Sequence, residues 1–314
     1  MLQRLRFIPL RILQAIPVVF GVTIVVFFLV RFLPGSPAIA ILGEHATPAA
    51  VAAINKEYGL DGPIWVQYGA FIGHLVQGNL GESLFYHEPV SQLVAVGLPA
   101  TLYLVVYSII LTVIISVPLA SLAASRPGAF RDQAVRIGPM VGLGMPQFWV
   151  GIMLILLLGV KAKIFPIGGY GNNPLENIVY LFLPALTVAI SISPIVIRSL
   201  RTAMISVLGS DFVGTARSKG TSPFRIFSRH VLRNAAVPTV TVLGVNVGYL
   251  LGTTIVIEKV FALPGLGNYM VTAIFNRDFP TVQGITLVIA LLVVVVGILT
   301  DVVYALLDPR VELS

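Results

Sequence analysis

The sequence predicts an all-α membrane protein of six transmembrane helices, and three observations carry that prediction. Of 314 residues, 57% are hydrophobic and only 11% are charged, against about a quarter charged in soluble domains. Six stretches contain no Asp, Glu, Lys, Arg or His, namely 12–30, 99–125, 137–160, 177–197, 234–257 and 279–300, and each is long enough to cross about 30 Å of hydrocarbon as a helix. The basic residues between them are unevenly shared. With the N-terminus inside, Arg4, Arg6, Arg11, Arg126, Arg131, Arg136, Arg198, Arg201, Arg217, Lys219, Arg225, Arg229, Arg233 and Arg310 fall inside, fourteen of the 20. Arg31, Lys56, Lys161, Lys163, Lys259 and Arg277 fall outside. This asymmetry follows the positive-inside rule and puts both termini in the cytoplasm. The net charge of +7 is therefore a topology signal and not a nucleic-acid patch. The absence of cysteine excludes disulfides and thiolate catalysis.

Arg4, Arg6 and Arg11 precede an apolar run too long for a cleaved signal peptide, so the first span reads as a retained signal anchor. Leu33, Pro34, Gly35, Ser36 and Pro37 end it. In the long external segment that follows, Thr47 caps a helix opened by Pro48 and stopped near Gly59. A second helix begins near Pro63 and carries Ile64, Trp65, Tyr68, Phe71 and Leu75 at helical spacing. The stretch 65–81 is almost uncharged, yet Gln67, His74, Gln77, Asn79 and four glycines place it outside the bilayer. A seventh span there would also turn the largest basic cluster outward. The chain thus divides at 1–98, a span plus external segment, and 99–308, a core of five spans.

Within the third span Pro139, Gly142, Gly144 and Pro146 stand close before Phe148 and Trp149. Such breaks are tolerated where a cavity or neighbouring helices satisfy the backbone, and they equally suit a packing kink. The fifth span is studded with Thr239, Thr241, Gly244, Asn246, Gly248, Gly252, Thr253 and Thr254. Beyond it lie Glu258-Lys259-Val260-Phe261 and Leu263-Pro264-Gly265-Leu266-Gly267, whose glycines lack phosphate-loop spacing. Pro146, Phe148, Trp149, Asn246, Glu258, Phe261, Pro264 and Gly265 are the candidate pathway or gate.

The longest inside segment, 198–236, reads as a knob. Ser210 or Asp211 caps a short helix, and Gly220 takes the left-handed position just past its end. Ser222 and Pro223 restart a second helix. Arg225, Arg229 and Arg233, four residues apart, share one face of it.

The strings T-A-R-S-K-G at Thr215 to Gly220 and H-V-L-R-N-A-A-V-P-T-V-T at His230 to Thr241 resemble the cytoplasmic "EAA" loop of bacterial ABC importer permeases. Their wording is similar to the subgroup for peptides, glutathione and nickel complexes. Gly214 and Thr215 stand where the general motif has Glu and Ala. G-L-D-G-P-x-x-x-Q-Y at 59–68, G-N-L-G-E-S at 78–83, E-K-V-F and P-G-L-G carry the same resemblance, with Ser36 and Asn79 in place of expected acids. The resemblance implies a type I importer permease fold in the bacterial inner membrane. It implies a second homologous permease, two ABC ATPase subunits that bind ATP and Mg, and a periplasmic or extracytoplasmic binding protein. It assigns ATPase coupling to Asp211, Thr215, Ala216, Arg217, Lys219 and Gly220.

No catalytic constellation, metal cluster or Walker-type loop is found in the sequence, and His45, His74, His87 and His230 are scattered. The chain is expected to be a transport subunit that binds no cofactor, with hydrolysis in its partners. A peptide is the expected cargo, with glutathione or a nickel chelate as alternatives. An ion-coupled secondary transporter is the rival from another class. Such proteins keep ionisable relays inside their spans, and the six charge-free stretches disfavour it. A membrane scaffold or an intramembrane enzyme is the third class, separated from the first by whether ATPases co-purify.

Overall fold

The computed structural model describes residues 8–32, 47–57 and 61–307, all helix and connection apart from one isolated β-bridge between Glu82 and Pro89. The sequence expectations at Arg4, Arg6, 33–37, His45, Gly59 and Arg310 lie outside the described residues. The helices are α1 (Ile8–Phe32), α2 (Pro48–Glu57), α3 (Ile64–Val76), α4 (Val90–Ser125), α5 (Phe130–Leu143), α6 (Gln147–Lys161), α7 (Pro174–Tyr180), α8 (Phe182–Leu208), α9 (Asp211–Ser218), α10 (Pro223–Val260), α11 (Leu266–Phe275) and α12 (Phe279–Leu307). Five of them, α1, α4, α8, α10 and α12, are long and apolar enough to span a membrane.

The third expected span is present as a broken one, interrupted at the proline that the sequence marks. Instead of one helix over 137–160, the chain forms α5 and α6, which meet at a bend of 99°. Proline at 146 can donate no backbone bond and would clash with a preceding helical carbonyl, and it pushes Met145 out of the helical region. Pro146 itself is extended, at φ −57° and ψ 134°. The α6 arm alone is about 22 Å long at the helical rise, short of a full crossing. Its last turns, Ile155–Lys161, are a π-helix, as is Ile226–Leu232 near the start of α10.

Helix α8 is the axis of the bundle, because 67% of its most apolar window is buried, against 28% or less for each of the other four. Two cores pack along it. Leu104, Val105, Val188, Leu250, Leu251, Ile257 and Phe261 belong to one, and Ala120, Ala124, Leu200, Met204, Val213, Ile226 and Val231 to the other. The second core holds the ends of α4 and α8, α9 and the start of α10, so it marks the knob end of the bundle. Gly244 of α10 approaches Thr300 of α12 so closely that a Cβ there would overlap the threonine. Asp301 next to it pairs with Arg11 at 3.1 Å. The beginning of α1 and the finish of α12 therefore share the knob end with the 126–136 turn, while Lys259 and Arg277 lie at the other. This grouping is the one that charge counting requires.

At the far end, Thr47 accepts a hydrogen bond from the Ala50 amide at 3.3 Å, the expected cap of α2. Helix α3 lies against α1, with the Tyr68 hydroxyl 2.8 Å from Thr23 Oγ1 and its ring edge-on to Phe27 at 5.1 Å. Asp278 caps α12 through Thr281 and ties down the 78–89 segment. Its carboxylate accepts from the Ser83 hydroxyl at 2.5 Å, the Leu84 amide at 3.1 Å and the Thr281 hydroxyl at 2.7 Å.

Candidate functional site

The knob is α9 and the turn beyond it. Val213 is fully buried in the core beside Met204, Ile226 and Val231. That one anchor leaves Asp211, Phe212, Gly214, Thr215, Arg217, Lys219 and Gly220 exposed and Ala216 half-buried. Ser210 occupies the cap position, but neither it nor Asp211 caps through a side chain. The Ser210 hydroxyl instead donates to the Val207 carbonyl at 2.6 Å. The far end of α9 does close as the glycine predicts. Gly220 has φ +72°, its amide donates to the Arg217 carbonyl at 2.9 Å, and the Thr221 amide donates to that of Ala216 at 3.1 Å. This pair of bonds is a Schellman closure, which needs a left-handed residue where glycine alone is unstrained. Ser222 and Pro223 then open α10 as expected. Arg225, Arg229 and Arg233 are all exposed along its first turns.

A buried ion pair behind the knob was not singled out in the sequence. Asp132, at the start of α5, is 1% exposed and accepts a two-bond fork from Arg201 of α8, at 2.5 and 2.6 Å, plus the Gly128 amide at 2.8 Å. The fork fixes the α4–α5 turn to the part of α8 that leads into α9. The available signal was one acid set among Arg126, Arg131 and Arg136.

At the α5–α6 bend a cavity of about 560 Å³ opens, lined by residues of α5, α6, α8 and α10. Its polar lining is Gln147, Ser191, Asn246, Tyr249 and Thr253, with no Asp, Glu, Lys, Arg or His. The structure distributes the pathway candidates. Phe148 and Asn246 line this cavity. Pro146 forms its elbow, and Trp149 is exposed beside it.

Glu258, Phe261, Pro264 and Gly265 gather at the other end in a buried clasp. The Glu258 carboxylate, 1% exposed, accepts from the Thr101 hydroxyl at 2.8 Å and from the amides of Gly267 and Asn268 at 2.6 and 3.2 Å. Thr101 in turn accepts from the Leu266 amide at 2.9 Å. The carboxylate thus satisfies the free amides that open α11, the place where a helix favours an anion. Gly265 and Gly267 pass so close to Glu258 and Ile255 that a side chain on either would collide. Phe261 is fully buried, and its carbonyl accepts from the Gly169 amide at 2.8 Å. Among the described residues no group of His, Cys, Asp and Glu is arranged to hold a metal.

Two family profiles match this chain. Residues 116–313 fit the family described as binding-protein-dependent transport system inner membrane component, and residues 4–105 fit its N-terminal companion. The chain belongs to this family. Among the relatives of this permease family is the oligopeptide transport system permease protein AppB of Bacillus subtilis, 36% identical over 308 residues, covering 96% of this chain and 98% of that one. The dipeptide transport system permease protein DppB of Alkalihalophilus pseudofirmus is 33% identical over 325 residues, covering 96% and 98%. In fold, the permease is similar to a chain from inward-facing structures of the MetNI methionine ABC transporter. That match has a TM-score of 0.57 and 18% identity and covers 69% of this chain and 97% of the other. The fold is accordingly that of a type I importer permease.

Proposed function

We propose that the chain is the membrane-spanning subunit of an ATP-driven importer that carries short peptides across the bacterial cytoplasmic membrane, with the knob and both termini facing the cytoplasm. The carrying observation is the uncharged cavity at the α5–α6 elbow, next to a bundle whose knob is held by a single buried valine. Amide, hydroxyl and phenol groups there can exchange hydrogen bonds with a peptide backbone, and no fixed charge is present to retain the cargo. The naming of AppB and DppB as oligopeptide and dipeptide permeases supports the same cargo. Closure of two ATPase subunits in trans would pull on Asp211, Thr215, Ala216, Arg217, Lys219 and Gly220, and the spans would pass between inward-open and outward-open arrangements. ATP and Mg are held by those subunits. The remaining partners are a second, homologous permease and an extracytoplasmic binding protein.

The test is uptake into proteoliposomes containing all partners. Peptide uptake should require hydrolysable ATP and persist when a protonophore collapses the proton gradient. Loss of uptake under the protonophore at constant ATP would establish the ion-coupled class instead. Uptake of glutathione or a nickel chelate but not of peptides would reassign the cargo.

A further inference from the structure

Helix α3 has the composition of a spanning helix and the length of half of one. Its 13 residues extend about 20 Å, too short to cross. No residue of α3 is buried within the chain. Its exposed surface is mostly apolar: Trp65 is 73% exposed and Val76 84%, with Ile64, Val66 and Ala70 also exposed, and the exposed His74 falls in the last turn. In water such a face would forfeit roughly 25 cal/mol for each Å² left uncovered, and apolar patches of this kind mark a surface that is normally covered.

Where α3 sits identifies the cover. Tyr68 meets Thr23 at 2.8 Å and Phe20 and Phe27 at 6.2 and 5.1 Å between ring centroids. These three are residues of span α1. Thr23 lies seven residues before the end of the charge-free run at Val30, about 10 Å along the axis. Phe20 and Val25 of α1 are exposed as well, and Phe20 meets the Tyr68 ring of α3, so exposed apolar surface runs from one helix to the other. The polar side chains after it, Gln77 and Asn79, occur where the chain leaves α3 and are exposed.

We propose that α3 is a membrane-embedded interfacial helix, lying in the leaflet away from the Gly220 knob with its Ile64, Trp65 and Val66 edge in lipid acyl chains. A depth of about 5–10 Å is what such helices reach, and Trp65 is the residue type that favours that level. The external segment is thereby held down by lipid as well as by α1 and Asp278. The sequence reading of 65–81 as outside the bilayer applies, on this proposal, only from Gln77 onward.

The chain lacks cysteine, so an introduced thiol is the only one on its gel band. Trp65→Cys and Val66→Cys would be made separately in the complete importer and placed in lipid nanodiscs, where both faces meet buffer. Glu82→Cys serves as the water control and Leu13→Cys as the lipid control, since Leu13 is exposed on α1. With a charged maleimide, both α3 thiols should react about tenfold more slowly than Glu82→Cys and match Leu13→Cys, with or without the binding protein. A lipid-soluble benzophenone maleimide on the same thiols should give, on irradiation, adducts with phospholipid. Reaction as fast as at Glu82→Cys would put α3 in water and overturn the proposal. Protection only when the binding protein is present, or a photo-crosslink to a partner subunit, would overturn it in favour of a protein cover.

Discussion

Replacing Gly220 with valine isolates what the turn after α9 contributes. A Cβ at this position would meet no atom within 4 Å, so the substitution causes no collision and its whole cost lies in the backbone. Holding φ at +72° costs an L-residue about 1–2 kcal/mol, and more for a β-branched one. The alternative is to unwind the turn and lose the Thr221–Ala216 and Gly220–Arg217 bonds, at about 1 kcal/mol each. Either route shifts the balance between the native and an unwound turn by about 5- to 30-fold. The helix is anchored by Val213 and lies outside the spans, so membrane abundance should stay near wild type. Binding-protein-stimulated ATP hydrolysis in proteoliposomes, normalised to assembled complex, should fall sharply together with uptake. Gly220→Ala should be milder and Gly220→Asn milder still, because asparagine tolerates the left-handed region. Gly214→Ala, also in open space but at ordinary helical φ, should stabilise α9 by about 1 kcal/mol. Full coupling in Gly220→Val would show that the turn geometry does not transmit the ATPase stroke.

Other consequences are open to direct measurement. A reporter active only outside the cytoplasm should work when fused near Glu57 or Tyr170 and fail near Gly128 or Gly220; activity at Gly220 would invert the topology. Asp132→Asn leaves Arg201 without its buried partner and should cost about 3 kcal/mol, seen as a lower melting temperature of the purified complex. The double variant with Arg201→Met should recover part of that loss. Glu258→Ala strands the Thr101 hydroxyl and two amides that open α11, at about 2–3 kcal/mol. Its signature should be faster proteolysis or amide exchange over 261–275, with the knob unchanged.

Most of the bundle was legible because lipid imposes one rule, that a long charge-free run must be helical, and because Gly220 and Pro223 act on their own backbone. Signals that depend on direction or on distant partners were not. Hydropathy counts apolar residues along 137–160 without regard to where the helix points, so Pro139, Gly142, Gly144 and Pro146 mark a break in the run but not its 99° angle. The Asp132–Arg201 fork joins residues 69 apart, and Thr101 meets Glu258 across 157. The sequence marks Glu258 as a pathway or gate candidate near Gly265 and Gly267 and does not show which groups it meets. The same small residues are what let α11 come close enough for its amides to reach the carboxylate.

The elbow between α5 and α6 carries a mechanical implication. Near one end of the bundle α5 is riveted to α8 by the Asp132–Arg201 fork. At the other, α4, α10 and α11 are welded through Glu258. Both carboxylates are buried, and opening either joint costs a carboxylate the hydrogen bonds that satisfy it, so neither yields cheaply. Between Gly144 and Pro146 the helical ladder is already interrupted, and a change of angle there breaks no helical hydrogen bond. Compliance in this part of the chain is therefore concentrated in three residues at the rim of the cavity, where a few degrees of flexure move the long arm of α6 and with it Gln147 and Phe148.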